Sequence, residues 1–334
     1  MSNHNGRETL VKVEGLKKLF PVGGSLLRKS NSFIHAVDDV NLEIQAGHSL
    51  SLVGESGCGK TTTGKLLVRL YEPTGGRILI QDENGNLADI AHRKGYSMKS
   101  FRKRVQMIFQ DPYESLNPRR TIFDTVSEPL RVQSIGSIPE REEKVARLLE
   151  RVGLTPASSF LFRFPHELSG GQRQRVAIAR ALIVDPVFIA ADEPTSMLDV
   201  SIRTGVMNLM MELAQEFGVS YLYITHDLAV ARYMCEKIAV MYLGKIVEQA
   251  ETEELLANPL HPYTRALISA VPVPDPRYKR ELVEIKGAIS APIDPPPVCR
   301  FYARCPIADQ FCADNPHPPL EDKGGGHYVA CYKV

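Results

Sequence analysis

No apolar run in the 334 residues approaches the roughly 18 needed to cross a bilayer. The opening MSNHNGRETL is polar and lacks the apolar stretch of an export signal, so the chain is expected to start and stay soluble on its own. Net charge is almost absent. Lys plus Arg number 40 against 39 Asp plus Glu, which leaves no basic field to draw in a nucleic-acid backbone or an anionic membrane surface. Partners must be found by local sites. Cysteine is sparse: of six, Cys58 and Cys235 are scattered and four crowd together after residue 298. That distribution does not suit a secreted disulfide framework, and a reducing compartment with a metal site fits it better. What the chain has is 43% apolar content, enough for a full core, and a length that predicts about two domains.

The first chemical signal lies in HSLSLVGESGCGKTTTGKL, residues 48 to 66. An apolar strand ends at Gly54, and a glycine-rich turn leads through Lys60 and Thr61 into a helix. This is the G-x-x-x-x-G-K-[ST] pattern in a strand-to-helix context. Gly57 and Gly59 let backbone amides point inward at an anion, and the helix N-terminus adds its dipole. Lys60 reaches the outer phosphates, and the Thr61 hydroxyl is suited to Mg²⁺. Gly54, Glu55, Ser56, Gly57, Cys58, Gly59, Lys60, Thr61 and Thr62 are the candidate phosphate-binding residues. A helix N-terminus and Lys60 beside Cys58 should lower its thiol pKa, with a small residue that merely fits the loop as the alternative; in either case its alkylation is expected to block turnover and ATP to protect it.

Residues 187 to 193, VFIAADE, read as a buried strand ending in two carboxylates. Asp192 is assigned to Mg²⁺ and Glu193 to general-base activation of water. Some twenty residues earlier, LSGGQRQRVAIARAL sets Ser169, Gly170 and Gly171 at the start of a helix with Val176, Ile178, Ala179 and Leu182 as its apolar face. A second anion cradle on one chain is explained economically if two copies of the domain meet head to tail, each nucleotide lying between the loop of one and the Ser-Gly-Gly helix of the other.

With these elements in this order, residues 10 to about 250 resemble an ATP-binding cassette ATPase. The resemblance implies an α/β fold: a P-loop core with an antiparallel β-subdomain and an inserted helical subdomain. It implies ATP and Mg²⁺ as ligands, with Thr61, Gln110 and Asp192 on the metal. It assigns Lys60, Glu193 and His226 as catalytic, and Phe20 as the residue stacking on adenine, with Phe33 as the alternative. Leu168, Ser169, Gly170, Gly171 and Gln172 become the signature that meets the partner's ATP. Asp199 lies in the D-loop, where Met197 replaces the more usual small residue. A helical subdomain over about 111–180 carries Val145, Leu148, Leu149 and Val152 at helical spacing, and Tyr113 to Arg119 is the expected contact with membrane subunits. From Ile202 to Phe217 a stripe of Ile202, Val206, Leu209, Met210, Leu213 and Phe217 reads as core, closed by Gly218. DNA-repair cassettes need a long heptad coiled coil, and none is present. Translation-associated cassettes usually carry two ATPase units and basic surfaces.

Beyond an ATPase domain assigned to 1–255, residues 256–298 read as a short helix and a Pro-rich linker, and 299–334 as a small cysteine region. HPYTRAL, His261 to Leu267, followed by Cys299, Cys305, Cys312 and Cys331, resembles the C-terminal extension of oligopeptide and dipeptide importer ATPases. That resemblance implies a [4Fe–4S] cluster on the four cysteines, with Zn²⁺ as the alternative. It implies a second ATPase subunit (a sister chain or an identical copy), two transmembrane permease subunits, an extracytoplasmic substrate-binding protein, and a place at the cytoplasmic face of the membrane. Nickel chelates, glutathione or sugars are alternative cargoes; a non-transport cassette is a further alternative.

Overall fold

The computed structural model describes residues 8–23, 31–92, 96–271, 283, 285–287 and 291–334. The first seven residues of the polar opening, and 272–282, 284 and 288–290 of the Pro-rich linker, lie outside the described residues. The chain divides into two compact units: 1–45, 49–92 and 223–334 in the first, 46–48 and 93–222 in the second.

In the first unit, β1 (Thr9–Val22) and β2 (Ser32–Gln45) form a long antiparallel ladder. After them come β3 (Ser49–Val53), α1 (Lys60–Leu67), β4 (Gly75–Gln81) and β5 (Leu87–Asp89). An antiparallel sheet runs β2-β1-β4-β5, as expected for the β-subdomain. Leu50 to Val53 of β3 are all buried, the continuous apolar run of a strand covered on both faces.

The second unit opens with α2 (Tyr96–Arg104) and β6 (Val105–Ile108), then α3 (Pro112–Ser115), α4 (Ile122–Gln133), α5 (Ile138–Arg151) and α6 (Gly170–Leu182). β7 (Phe188–Asp192) pairs in parallel with β6, and α7 (Val200–Phe217) leads to β8 (Ser220–Thr225), whose last three residues belong to the first unit. Local chemistry explains the helix starts. Thr121 accepts from the Asp124 amide to cap α4, and Ser137 and Glu140 form a reciprocal capping box on α5. Val145, Leu148, Leu149 and Val152 are buried as their spacing requires. On α7 the buried stripe is Val206, Met207, Leu209, Met210 and Leu213. Ile202 is a correction: it is 39% exposed, because the first turn of α7 carries no buried side chain, and its Cγ2 instead borders Gly171. Gly218 closes the helix in the left-handed conformation, φ 64°.

The chain returns to the first unit with α8 (Leu228–Met234), β9 (Lys237–Tyr242), β10 (Lys245–Glu251), α9 (Thr252–Ala257) and α10 (Pro262–Ala270). The C-terminal stretch adds α11 (Gln310–Asp314), β11 (Glu321–Asp322) and β12 (Tyr328–Val329). Its strands extend the second sheet of this unit in the order β11-β12-β10-β9-β3, with β9 parallel to β3. This stretch forms no separate core. Phe301 is buried with Val53, Val240, Tyr242 and Tyr263, and Cys299 and Cys305 pack against the same cluster. Burying one such phenylalanine contributes about 1.5–3 kcal/mol, so the tail is held by the core that supports the glycine-rich loop.

Candidate nucleotide-binding site

In the first unit, β3 delivers the chain into the loop Gly54 to Gly59, and α1 begins at Lys60. Gly54, Gly57 and Gly59 have φ of 155°, 78° and 112°. A Cβ on Gly59 would stand 2.1 Å from the Ala36 carbonyl oxygen, and one on Gly54 would stand 2.2 Å from that of Met241, so the loop admits no side chain at either position. Lys60 is 5% exposed, and its Nζ donates to the carbonyl oxygens of Gly54 (2.7 Å) and Glu55 (2.9 Å). The ammonium is thereby held across the mouth of its own loop. Thr61 and Thr62 follow in the first turn of α1.

Cys58 requires a second correction. Lys60 Nζ does approach its Sγ at 3.8 Å, but the residue is only 3% exposed and burial outweighs the lysine, raising the thiol pKa instead of lowering it. It is a small side chain that fits the loop.

Glu55 has partners from the far end of the sequence. Its amide donates to Tyr263 Oη at 2.9 Å, and Arg304 grips its carboxylate with two bonds, Nη1 to Oε2 at 2.8 Å and Nη2 to Oε1 at 3.2 Å. Arg304 also donates to Tyr242 Oη at 3.3 Å. Neither Arg304 nor Tyr263 was marked as a site residue by the sequence, because contacts across 249 and 208 positions leave no local pattern. Only HPYTRAL carried a signal, and that signal did not say where its tyrosine would point. Phe20, also in this unit, meets Tyr71 edge-on with centroids 5.6 Å apart, and Lys18 Nζ lies 5.1 Å from its ring. Phe33 sits opposite Pro21 in the same ladder. His226 is exposed immediately after β8.

In the second unit, β7 ends at Asp192, which is buried, and Glu193 turns out of the strand with φ 43°. That left-handed conformation is uncommon for a side-chain-bearing residue. The turn is fastened by the Ser196 amide and hydroxyl, both donating to the Glu193 carbonyl oxygen. Gln110, two residues past β6, donates from Nε2 to Glu193 Oε2 at 3.0 Å, so these two candidates meet directly. Ser169 caps α6: Oγ accepts from the Gln172 amide while the Gln172 side chain accepts from the Ser169 amide. Leu168 is buried, Ser169 is exposed, and Gly170 and Gly171 open the helix. Asp199 is the N-cap residue of α7. Tyr113 is 61% exposed on α3, with the Arg173 guanidinium 3.9 Å from its ring centre.

The four C-terminal cysteines line one hollow, together with His261, Phe301 and Tyr302. Burial and the neighbouring thiols push Cys299 up to about 11 and raise Cys305 and Cys331. Among the described residues no group of three or more His, Cys, Asp or Glu side chains is arranged to hold a metal ion.

A glycine-rich loop leading into a lysine-headed helix, with a strand-end carboxylate pair and a capped Ser-Gly-Gly helix, defines a phosphate-handling ATPase class. The model of the ABC transporter family matches residues 37–196, and that of the oligopeptide/dipeptide transporter C-terminal region matches 247–312. The chain is 46% identical to the oligopeptide transport ATP-binding protein AppF of Bacillus subtilis, covering 98% of both chains. It is 44% identical to the dipeptide transport ATP-binding protein DppF of Haemophilus influenzae, covering 97% of both. A dimeric ATP-binding cassette in a post-hydrolysis state bound to ADP and Pi superposes with TM-score 0.63 at 31% identity, over 73% of this chain and 99% of that one. The chain belongs to the ABC transporter ATPases. Within them it is of the oligopeptide/dipeptide importer type.

Proposed function

We propose that this chain is the ATP-hydrolysing subunit of an importer for dipeptides or oligopeptides. The observation that carries the reading is the match to peptide-transport relatives over nearly the whole chain, C-terminal region included. Two such subunits sandwich ATP, each signature, Leu168 to Gln172, facing its partner's nucleotide. They drive two permease subunits, to which an extracytoplasmic binding protein brings the cargo, from the cytoplasmic face of the membrane. Tyr113 to Arg119 is the proposed contact with the permeases, and the exposure of Tyr113 supports it.

In the reaction, Lys60 holds the outer phosphates of the substrate and neutralises charge as the terminal phosphoryl leaves. Glu193 takes the proton of the attacking water, with Gln110 holding its carboxylate and His226 orienting the water. Phe20 stacks on the base, and Asp199 links the two subunits. Thr61, Gln110 and Asp192 would hold Mg²⁺, which supplies further charge neutralisation at the phosphates; oxygen donors of this kind suit a hard cation.

The four cysteines are read as ligands of an iron–sulfur cluster. All four line one hollow, and four cysteines with none spare is the donor set such a cluster takes, with Zn²⁺ as the alternative. The decisive experiment on the ATPase reading is Glu193→Gln. The variant should bind ATP, accumulate as a dimer and lose at least 10²-fold in turnover; near-native hydrolysis would remove Glu193 as the base.

A further inference from the structure

The phosphate loop carries a carboxylate, Glu55, one residue after its first glycine and directly beside the carbonyl that holds the Lys60 ammonium. An uncompensated negative charge at this position would repel a triphosphate. The compensation comes from the C-terminal region. Arg304 lies between Cys299 and Cys305 on a short turn (Tyr302–Arg304) whose amides donate back to the Cys299 and Phe301 carbonyls. Its guanidinium engages both Glu55 oxygens, and its side chain is only 11% exposed against 22% for Glu55. Planar two-point pairing of this kind fixes orientation as well as charge. From α10, Tyr263 takes the Glu55 amide, and its ring packs at 4.6 Å on Tyr242 and 5.5 Å on Phe301. Loop, α10 and the cysteine-flanked turn therefore share one aromatic cluster.

We infer that the C-terminal region is a charge clamp on the phosphate loop, in which Arg304 is a positioning residue that fixes and neutralises Glu55 so that ATP affinity depends on the docked tail. The inference rests on the proposed reading of Gly54 to Thr62 as the ATP-binding loop. Arg304 acts through Glu55 and touches no reacting atom. Its effect falls on nucleotide binding in ground and transition states alike, hence on KM and not on kcat.

The test uses the full chain and a fluorescent N-methylanthraniloyl ATP as the binding probe. Arg304→Met should weaken ATP binding roughly five- to fiftyfold, the range for a charge left unpaired a few ångströms from a phosphate at the protein surface. KM should rise in parallel with kcat within about twofold. Adding Glu55→Gln to Arg304→Met removes the offending charge and should restore affinity to within about threefold of wild type. Arg304→Lys, which keeps the charge but not the fork, should fall between. Unchanged affinity in Arg304→Met overturns the inference, as does a loss that Glu55→Gln fails to rescue, since mere disruption of packing would not be cured at Glu55. If Arg304→Met does not fold, the Arg304→Lys and Arg304→Lys/Glu55→Gln pair carries the same comparison. Lys60→Ala separates the two readings: native affinity in that variant would sink the loop assignment itself, whereas its loss beside a normal Arg304→Met would sink the clamp alone.

Discussion

Replacing Glu248 with alanine should loosen the C-terminal stretch more than any surface change nearby. Glu248 is fully buried on β10, yet each carboxylate oxygen has work: Oε1 accepts from the Leu260 amide at 2.7 Å and faces His327 Nε2 at 2.7 Å, and Oε2 accepts from the His261 amide at 2.9 Å. Alanine would leave two backbone donors without their acceptor and take the short contact from His327 Nε2, whose Nδ1 would keep only Glu254 at 3.5 Å. Each buried orphan costs about 1–3 kcal/mol, and removal of one member of a buried pair about 3–5 kcal/mol, so a net loss of about 3–5 kcal/mol is expected locally. Glu248→Gln keeps one acceptor but turns an amide donor toward another donor, and should lose about half as much. The assay is amide hydrogen exchange at Leu260 and His261, which reads local opening directly. The calculated loss corresponds to exchange faster by roughly a hundred- to several-thousandfold in the alanine variant. Exchange within a factor of three of wild type at both amides would refute the assignment of Glu248 as the anchor of this stretch.

Two further outcomes follow from the same region. Burial pushes His261 and His317 down to about 3 from their ordinary 6.5, so both fold as neutral imidazoles. Their contribution to stability is whole above pH 6.5 and is lost as pH falls from there toward 3, at most about 2 kcal/mol each at pH 5; urea midpoints should therefore drop between pH 7.5 and 5, and by less in His261→Asn, which keeps a cap for α10. An identical drop in that variant would exonerate His261. For the cysteine hollow, anaerobic purification with iron, sulfide and zinc quantification should give about four irons per chain and a broad visible absorbance, both lost in Cys305→Ser; stoichiometric zinc without colour would refute the cluster.

The glycine-rich loop and its geometry were legible in the sequence because every requirement there is local: glycines where φ is positive, a lysine at the helix start, an apolar strand before it. The same holds for the Ser169 cap and for the buried face of α5, where spacing alone decides. Cys58 was misread because the charge of Lys60 is visible in the sequence while burial is not, and burial dominated. Ile202 was misread because helical periodicity continues to the end of a helix whereas the core does not. Arg304 and Tyr263 could not be found from the sequence, since nothing local distinguishes an arginine that will meet Glu55 from one that faces water.

The first unit is stitched from three separated stretches of chain, and its loop glutamate finds its arginine 249 residues later. On the ribosome the glycine-rich loop is therefore made long before the groups that hold it. Closing so wide a contour is slow and leaves β10 without β12 in the meantime, a bare edge open to wrong pairing. Such a subunit completes the contacts of this loop late in synthesis, and a chain cut short ahead of Arg304 would emerge with the loop in place and the partner of Glu55 missing.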